Sequence, residues 1–250
     1  MYRELGPEDH RRMLGLGQDE LPEAVLLVGV FAIEDGGARF ARYFETADKH
    51  RRFPSFLTTW KGRRYALAAC FGGPMAALHA HTWLGAGVPT VVQVGWFGAL
   101  QAGMSLGDVI VPSHAEREDG VSDWYLPKGL LADSSPELSD TIASRLEARA
   151  IDVVRRAIYS TPALMAESRE VIADWSRHGW QGVDMETAAT FAVAKSLGAQ
   201  RAAALIRLDD LVEEDHSLTE ATPEASRKFL REREREVLEA TLEALADTSE

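Results

Sequence analysis

The chain has 250 residues, of which 46% are hydrophobic, enough for one sizeable core, so a single domain over residues 1–250 is expected. Its 27 Lys and Arg stand against 39 Asp and Glu, and the net charge of -12 repels phosphate backbones and anionic membrane surfaces, which sets aside nucleic acid and membrane as partners. The one cysteine, Cys70, leaves no internal disulfide and no cysteine cluster for a metal; with no apolar run of membrane-spanning length and no signal-type core after the charged N-terminus, a cytoplasmic protein is expected.

Taken in chain order, four β-rich runs stand out: Ala24–Phe31, Tyr65–Phe71, Thr90–Val94 and Asp108–Val111. Each is followed by glycine, proline or acid and reads as a buried strand. A fifth, Ala202–Leu208, runs into the acidic stretch that starts at Asp209-Asp210. Strands that end in polar loops point to a ligand crevice at their C-terminal edges. Between them, Pro74–Leu84 and Thr187–Leu197 repeat small and apolar residues at helical intervals, with Gly198 as a stop. Thr222-Pro223 opens a last helix, whose Leu230, Val237, Leu238, Leu242 and Leu245 form one apolar stripe. The Arg/Glu run from Arg231 to Glu236 reads as a solvated face with i,i+4 pairs. This alternation predicts an α/β fold with a central mixed sheet flanked by helices.

Two segments carry the chemistry. The stretch Val91–Leu100, with Gly95, Trp96, Phe97 and Gly98 in its second half, followed by Gly103, Gly107 and Asp108–Pro112, reads as strand, glycine turn, strand; the glycines either let backbone approach a ligand or make a tight connection. Further on, Asp184-Met185-Glu186-Thr187-Ala188-Ala189 sets two acids around a methionine before a small-residue helix. Asp184 reads as a cap or surface residue, whereas Glu186, if buried, needs a hydrogen-bonding partner.

Together with Asp209-Asp210, these segments resemble the nucleoside phosphorylase/nucleosidase superfamily, which includes purine nucleoside phosphorylase, uridine phosphorylase and methylthioadenosine/S-adenosylhomocysteine nucleosidase. The resemblance implies that Glu186 accepts hydrogen bonds from the sugar hydroxyls, with Met185 beneath the sugar. It implies that Asp210 is the acid to the departing base, with Asp209 as its rival. Such roles suit cleavage of a ribosyl–base bond, which builds positive charge on the sugar and negative charge on the base.

At the family's phosphate ligands the chain carries Ile33, Gln93 and Trp96, while Glu34 matches the glutamate with which the nucleosidases activate water. The expectation is therefore a purine nucleosidase with Glu34 as base; the alternatives are a phosphorylase, with phosphate as co-substrate, and a nucleoside-binding protein without turnover. Glu34-Asp35 also reads as a solvated turn, Trp96 as a core residue, and Arg51, near an arginine that some members lend to a neighbour's phosphate, as a surface residue. Leu164 and Met165 stand where the family builds a wall of the base pocket, and core packing explains them equally well. No cofactor is expected, the histidines have no metal spacing, and a homodimer, trimer or hexamer is implied. Glu34, Glu186 and Asp210 are expected to converge on one crevice.

Overall fold

The computed structural model describes residues 1–50, 52–213 and 222–247. In chain order the N-terminal half runs α1 (Pro7–Leu14), β1 (Ala24–Gly29), α2 (Ile33–Ala41), β2 (Thr46–Lys49), β3 (Phe56–Trp60), β4 (Arg63–Cys70), α3 (Gly73–Ala86) and β5 (Thr90–Ala99). There follow β6 (Val109–Ile110), β7 (His114–Arg117), β8 (Ala132–Asp133), α4 (Pro136–Glu147), β9 (Val153–Val154) and β10 (Ile158–Ser160). The chain finishes with α5 (Arg169–Arg177), β11 (Gly182–Asp184), α6 (Thr187–Ser196), β12 (Gln200–Asp210) and α7 (Glu224–Asp247).

One mixed sheet collects these strands in the order β2-β3-β4-β1-β5-β11-β10-β7-β8, with β12 beside β5 and the short β6 and β9 beyond it. β4, β1, β5 and β12 run parallel, while β2 and β3 add an antiparallel edge. The period of two along each strand decides which side chains meet which helices. In β1, Leu26 and Val28 join one core with Phe40 of α2, Ile142 of α4 and Leu238 and Leu242 of α7. Val25 and Leu27 join the other, with Leu14 of α1, Ala76 and Trp83 of α3 and Val193 of α6. Both sheet faces are thus covered by helices, as the continuous apolar runs of β1 and β4 require. Among the described residues no helix is long and apolar enough to cross a membrane.

Three sequence expectations change. The Gly95–Gly98 stretch is not a turn: β5 continues through it to Ala99, pairing with β12 throughout and with β11 at its end. Gly95 serves close approach, since a β-carbon there would stand 3.3 Å from the backbone nitrogen of Gly29. Glu34-Asp35 is solvent-exposed, but it belongs to the first turn of α2 rather than to a loop, and Gly36-Gly37 continue the helix. Finally, the Arg/Glu run of α7 is not wholly solvated: Glu234 is buried and receives a hydrogen bond of 2.6 Å from Arg39 of α2.

Candidate active site

The parallel strands β1, β4, β5 and β12 carry their C-terminal ends to one edge, and a cavity of about 140 Å³ opens there. Gly29, Val30 and Phe31 leave β1 along its wall, Phe71 follows β4, and Trp96, Phe97 and Gly98 come from β5. Val183, Asp184, Met185 and Glu186 enter from the junction of β11 and α6, with Leu208 and Asp209 from β12 and Leu164 from a 3-10 turn after β10. Phe31, 61% exposed, packs its ring against Phe71 with centroids 4.6 Å apart.

Glu186 is buried beside two glycine backbones. Gly72 donates its N–H to Glu186 Oε1 at 2.6 Å. A β-carbon on Gly29 would come within 3.0 Å of Glu186 Oε2, so the first strand must end in glycine for the carboxyl to lie where it does. Burial, followed by the neighbouring Asp184, pushes the Glu186 carboxyl up to about 8. The partner that the sequence demanded for this acid is the loop after β4.

Asp184 is buried too, and burial raises its pKa. It is nonetheless ringed by donors: Ser160 Oγ at 2.6 Å, the Thr187 backbone N–H at 2.9 Å and Gln93 Nε2 at 3.2 Å. Gln93 in turn accepts from Thr190 Oγ1 at 2.9 Å, and Ser160 Oγ accepts from the Ala188 N–H at 3.0 Å. Asp184 thereby fixes the entrance to α6, and with it the direction in which Glu186 leaves the chain. The carboxamide of Gln93 is spent in this network.

The structure brings Met185, Glu186, Trp96, Phe97 and Leu164 around one cavity. Gly95 lies behind that lining, against Gly29. The expected convergence of three acids is not met. Glu34 sits exposed in the first turn of α2, outside the lining. Asp210 is buried at the end of β12, where Arg207 donates to Oδ2 at 2.9 Å and the N–H groups of Val212 and Glu213 donate to Oδ1 at 3.1 and 3.0 Å. Its neighbour Asp209 lines the cavity instead. Arg51 lies outside the described residues, as does His216. Among the described residues the lining carries three acids and no Lys or Arg, and no cluster of His, Cys, Asp or Glu suits a metal ion. Sequence reasoning missed the Phe31–Phe71 pair and the ring of donors on Asp184; the signal for the latter was the polar Gln93 inside an apolar strand.

The model of one family, the phosphorylase superfamily, matches residues 29–246, from the glycine beside Glu186 to the last turn of α7. The chain belongs to the phosphorylase superfamily. Among its curated relatives is a guanosine phosphorylase of Halorubrum lacusprofundi, 31% identical over 55% of this chain and 57% of that protein. A DeoD-type 2 purine nucleoside phosphorylase of Vibrio cholerae is 25% identical, over 62% of this chain and 66% of its own length. The alignments with these two relatives thus span somewhat under two thirds of each. A uridine phosphorylase structure from Vibrio fischeri superposes with a TM-score of 0.79, at 23% identity over 92% of this chain and 94% of that one. The Plasmodium knowlesi homologue of the P. falciparum PNP gives a TM-score of 0.76 at 18% identity, covering 93% of each chain. The mixed sheet flanked by helices is therefore the superfamily's fold, as the sequence led us to expect.

Proposed function

We propose that this chain cleaves the N-glycosidic bond of a purine nucleoside and that phosphate takes the sugar, so that the products are a free base and a sugar 1-phosphate. The observation that carries this reading is the phosphorylase-superfamily match over residues 29–246. The purine and guanosine phosphorylases among the curated relatives support both phosphorolysis and a purine base. It reverses the order of the sequence expectations, in which hydrolysis came first.

In this reading Glu186 accepts hydrogen bonds from the ribose hydroxyls, and Met185 packs beneath the sugar. Trp96, Phe97 and Leu164 offer apolar and aromatic surface to the ring system. Phosphate approaches from the Gly29–Phe31 loop, where the N-terminal turn of α2 presents backbone N–H groups and the positive end of its dipole. Arg51, of this chain or of a neighbouring copy, adds a cation. No cofactor enters the reaction. The enzyme works as a homo-oligomer in the cytoplasm.

One observation favours hydrolysis as a second reading: the charged residues of the described lining are all acids, with Ile33, Gln93 and Trp96 at the family's phosphate ligands and Gln93 bound to Asp184 and Thr190. A dianion held without cations lacks charge-assisted hydrogen bonds worth about 1.5–3 kcal/mol each. Here Glu34, from the exposed turn of α2, would orient a water. Incubating the protein with inosine, guanosine, adenosine and uridine, with and without phosphate, and assaying base, ribose and ribose 1-phosphate separates the two. Ribose 1-phosphate formed only when phosphate is present is the expected result; free ribose at equal rates in both conditions would reject it.

A further inference from the structure

Gln93 and Thr190 are wholly buried, and neither is part of the cavity lining. A glutamine among Val91, Val92 and Val94 of β5 has no water to satisfy its carboxamide, so both ends of the amide need partners inside the protein. They find them on either side of Glu186 in the chain. Gln93 Nε2 donates to Asp184 Oδ2 at 3.2 Å, two residues before Glu186, and Gln93 Oε1 accepts from Thr190 Oγ1 at 2.9 Å, four residues after it. The backbone closes the path: the Thr190 N–H donates to the Glu186 carbonyl at 2.9 Å, and the Thr187 N–H donates to Asp184 Oδ2 at 2.9 Å. One carboxamide from β5 thus bridges both ends of the segment that turns from β11 into α6, with Glu186 at the bend.

The bridge fits in one sense only. Asp184 accepts from Ser160 and Thr187 and so takes the NH2 end of the amide, which leaves the carbonyl end for a hydroxyl that can donate. Glu186 precedes the first helical residue, with φ -128° and ψ -30°, so the regular repeat of α6 does not set its direction. Its free oxygen and the Gln93 amide border one point, since a β-carbon on Gly29 would stand 3.0 Å from Glu186 Oε2 and 3.8 Å from Gln93 Nε2. We propose that Gln93 and Thr190 are positioning residues for sugar recognition: together they clamp the turn at Glu186 so that its carboxyl meets the ribose hydroxyls, without either residue touching the ligand. The assignment rests on the reading of this cavity as a nucleoside site with Glu186 at the sugar. A clamp of this kind acts as one unit, because opening it at either hydrogen bond frees the same turn.

The test compares the affinity of inosine with that of 2′,3′-dideoxyinosine, which lacks both hydroxyls, by calorimetry without phosphate. Thr190→Val keeps the shape of the side chain and removes its hydroxyl; it is expected to weaken inosine about 10-fold and to leave dideoxyinosine within about threefold of wild type. Thr190→Ser returns the hydroxyl and should bring inosine back to within about threefold. Gln93→Leu should weaken inosine at least as much, and adding Thr190→Val to it should cost nothing further. Should Gln93→Leu fail to fold, the valine and serine variants decide the matter by themselves. An equal loss on both ligands in Thr190→Val, no recovery in Thr190→Ser, or losses that multiply in the double variant would overturn the clamp, as would a wild type that binds the two ligands alike. If wild type prefers inosine yet does not cleave it with phosphate, the proposed reaction fails, while the clamp still stands or falls on the binding contrast.

Discussion

A carboxyl buried as deeply as that of Glu186 is held ready for a ligand only if something fixes it in place beforehand. Here the Gly72 N–H and the Asp184 network do so from two sides, leaving the oxygen near Gly29 for the sugar. Glu186→Gln keeps a carbonyl acceptor for Gly72 but replaces the second carboxyl oxygen, which faces the sugar, by an amide nitrogen that cannot accept from its hydroxyls, a loss of roughly 10- to 100-fold in kcat/KM for ribonucleosides. On a 2′,3′-dideoxynucleoside the variant and wild type should converge; a loss of the same size on that substrate would mean that Glu186 does not read the sugar. Glu234 makes a different case. Burial pushes its carboxyl up to about 7 against the pull of Arg39. An acid whose folded pKa is raised contributes stability below its unfolded pKa of about 4.5, and that contribution is lost as pH rises through about 7. Glu234→Gln should therefore gain in Tm relative to wild type between about pH 5 and pH 8; a difference independent of pH across that window would contradict the shift. Which acid of the Asp209-Asp210 pair faces the cavity was not legible in the sequence. Neighbours on a strand point to opposite faces, and the register of β12 on β5 shifts between Arg207 and Asp209. Such a bulge changes which residue faces which side without leaving a mark on the residue types. The acid-Met-Glu pattern could be read because its spacing is local: cap, methionine, glutamate, small-residue helix.

At the scale of elements, α2 shows packing overriding propensity. Two consecutive glycines, Gly36 and Gly37, argue against a helix at about 1 kcal/mol each, and the sequence reading placed a turn at Glu34-Asp35, directly before them. The structure uses those glycines for contact: a β-carbon on Gly36 would stand 2.5 Å from Val30 Cγ2, and one on Gly37 3.3 Å from the Ala69 β-carbon. The helix lies against the loop that leaves β1 because these positions have no side chains. Gly36→Ala sets a propensity gain of about 1 kcal/mol against an overpacking cost of about 1–3 kcal/mol, so the variant should be less stable. Since Val30 lines the cavity, its nucleoside affinity should fall too. Thermal melts with and without inosine check both; a higher Tm with unaltered ligand response would show that α2 shifts freely. Strands β1 and β4 were legible as continuous apolar runs. The first half of β5, Thr90–Val94, was legible too, but its continuation to Ala99 was not, because the glycines look like a turn until Gly29 is seen behind Gly95.

Over the whole molecule, two cores on opposite faces of one sheet account for the alternation of strands and helices that the sequence displays. What the sequence did not display is the centrality of β5, which pairs with β1, β11 and β12. Its Thr90–Ala99 backbone is matched to Gln200–Asp210, more than a hundred positions further along the chain. During synthesis, therefore, the middle of the sheet waits with one side unpaired until most of the polypeptide has left the ribosome. A chain ended after residue 199 should remain open to protease where the whole protein resists, and a resistant fragment of that length would show that the first half folds alone. The same wait leaves the apolar stretch from Val91 to Val94 as a bare strand edge for longer than any other part of the core, so a chaperone that shields extended hydrophobic segments is expected to find its main target there.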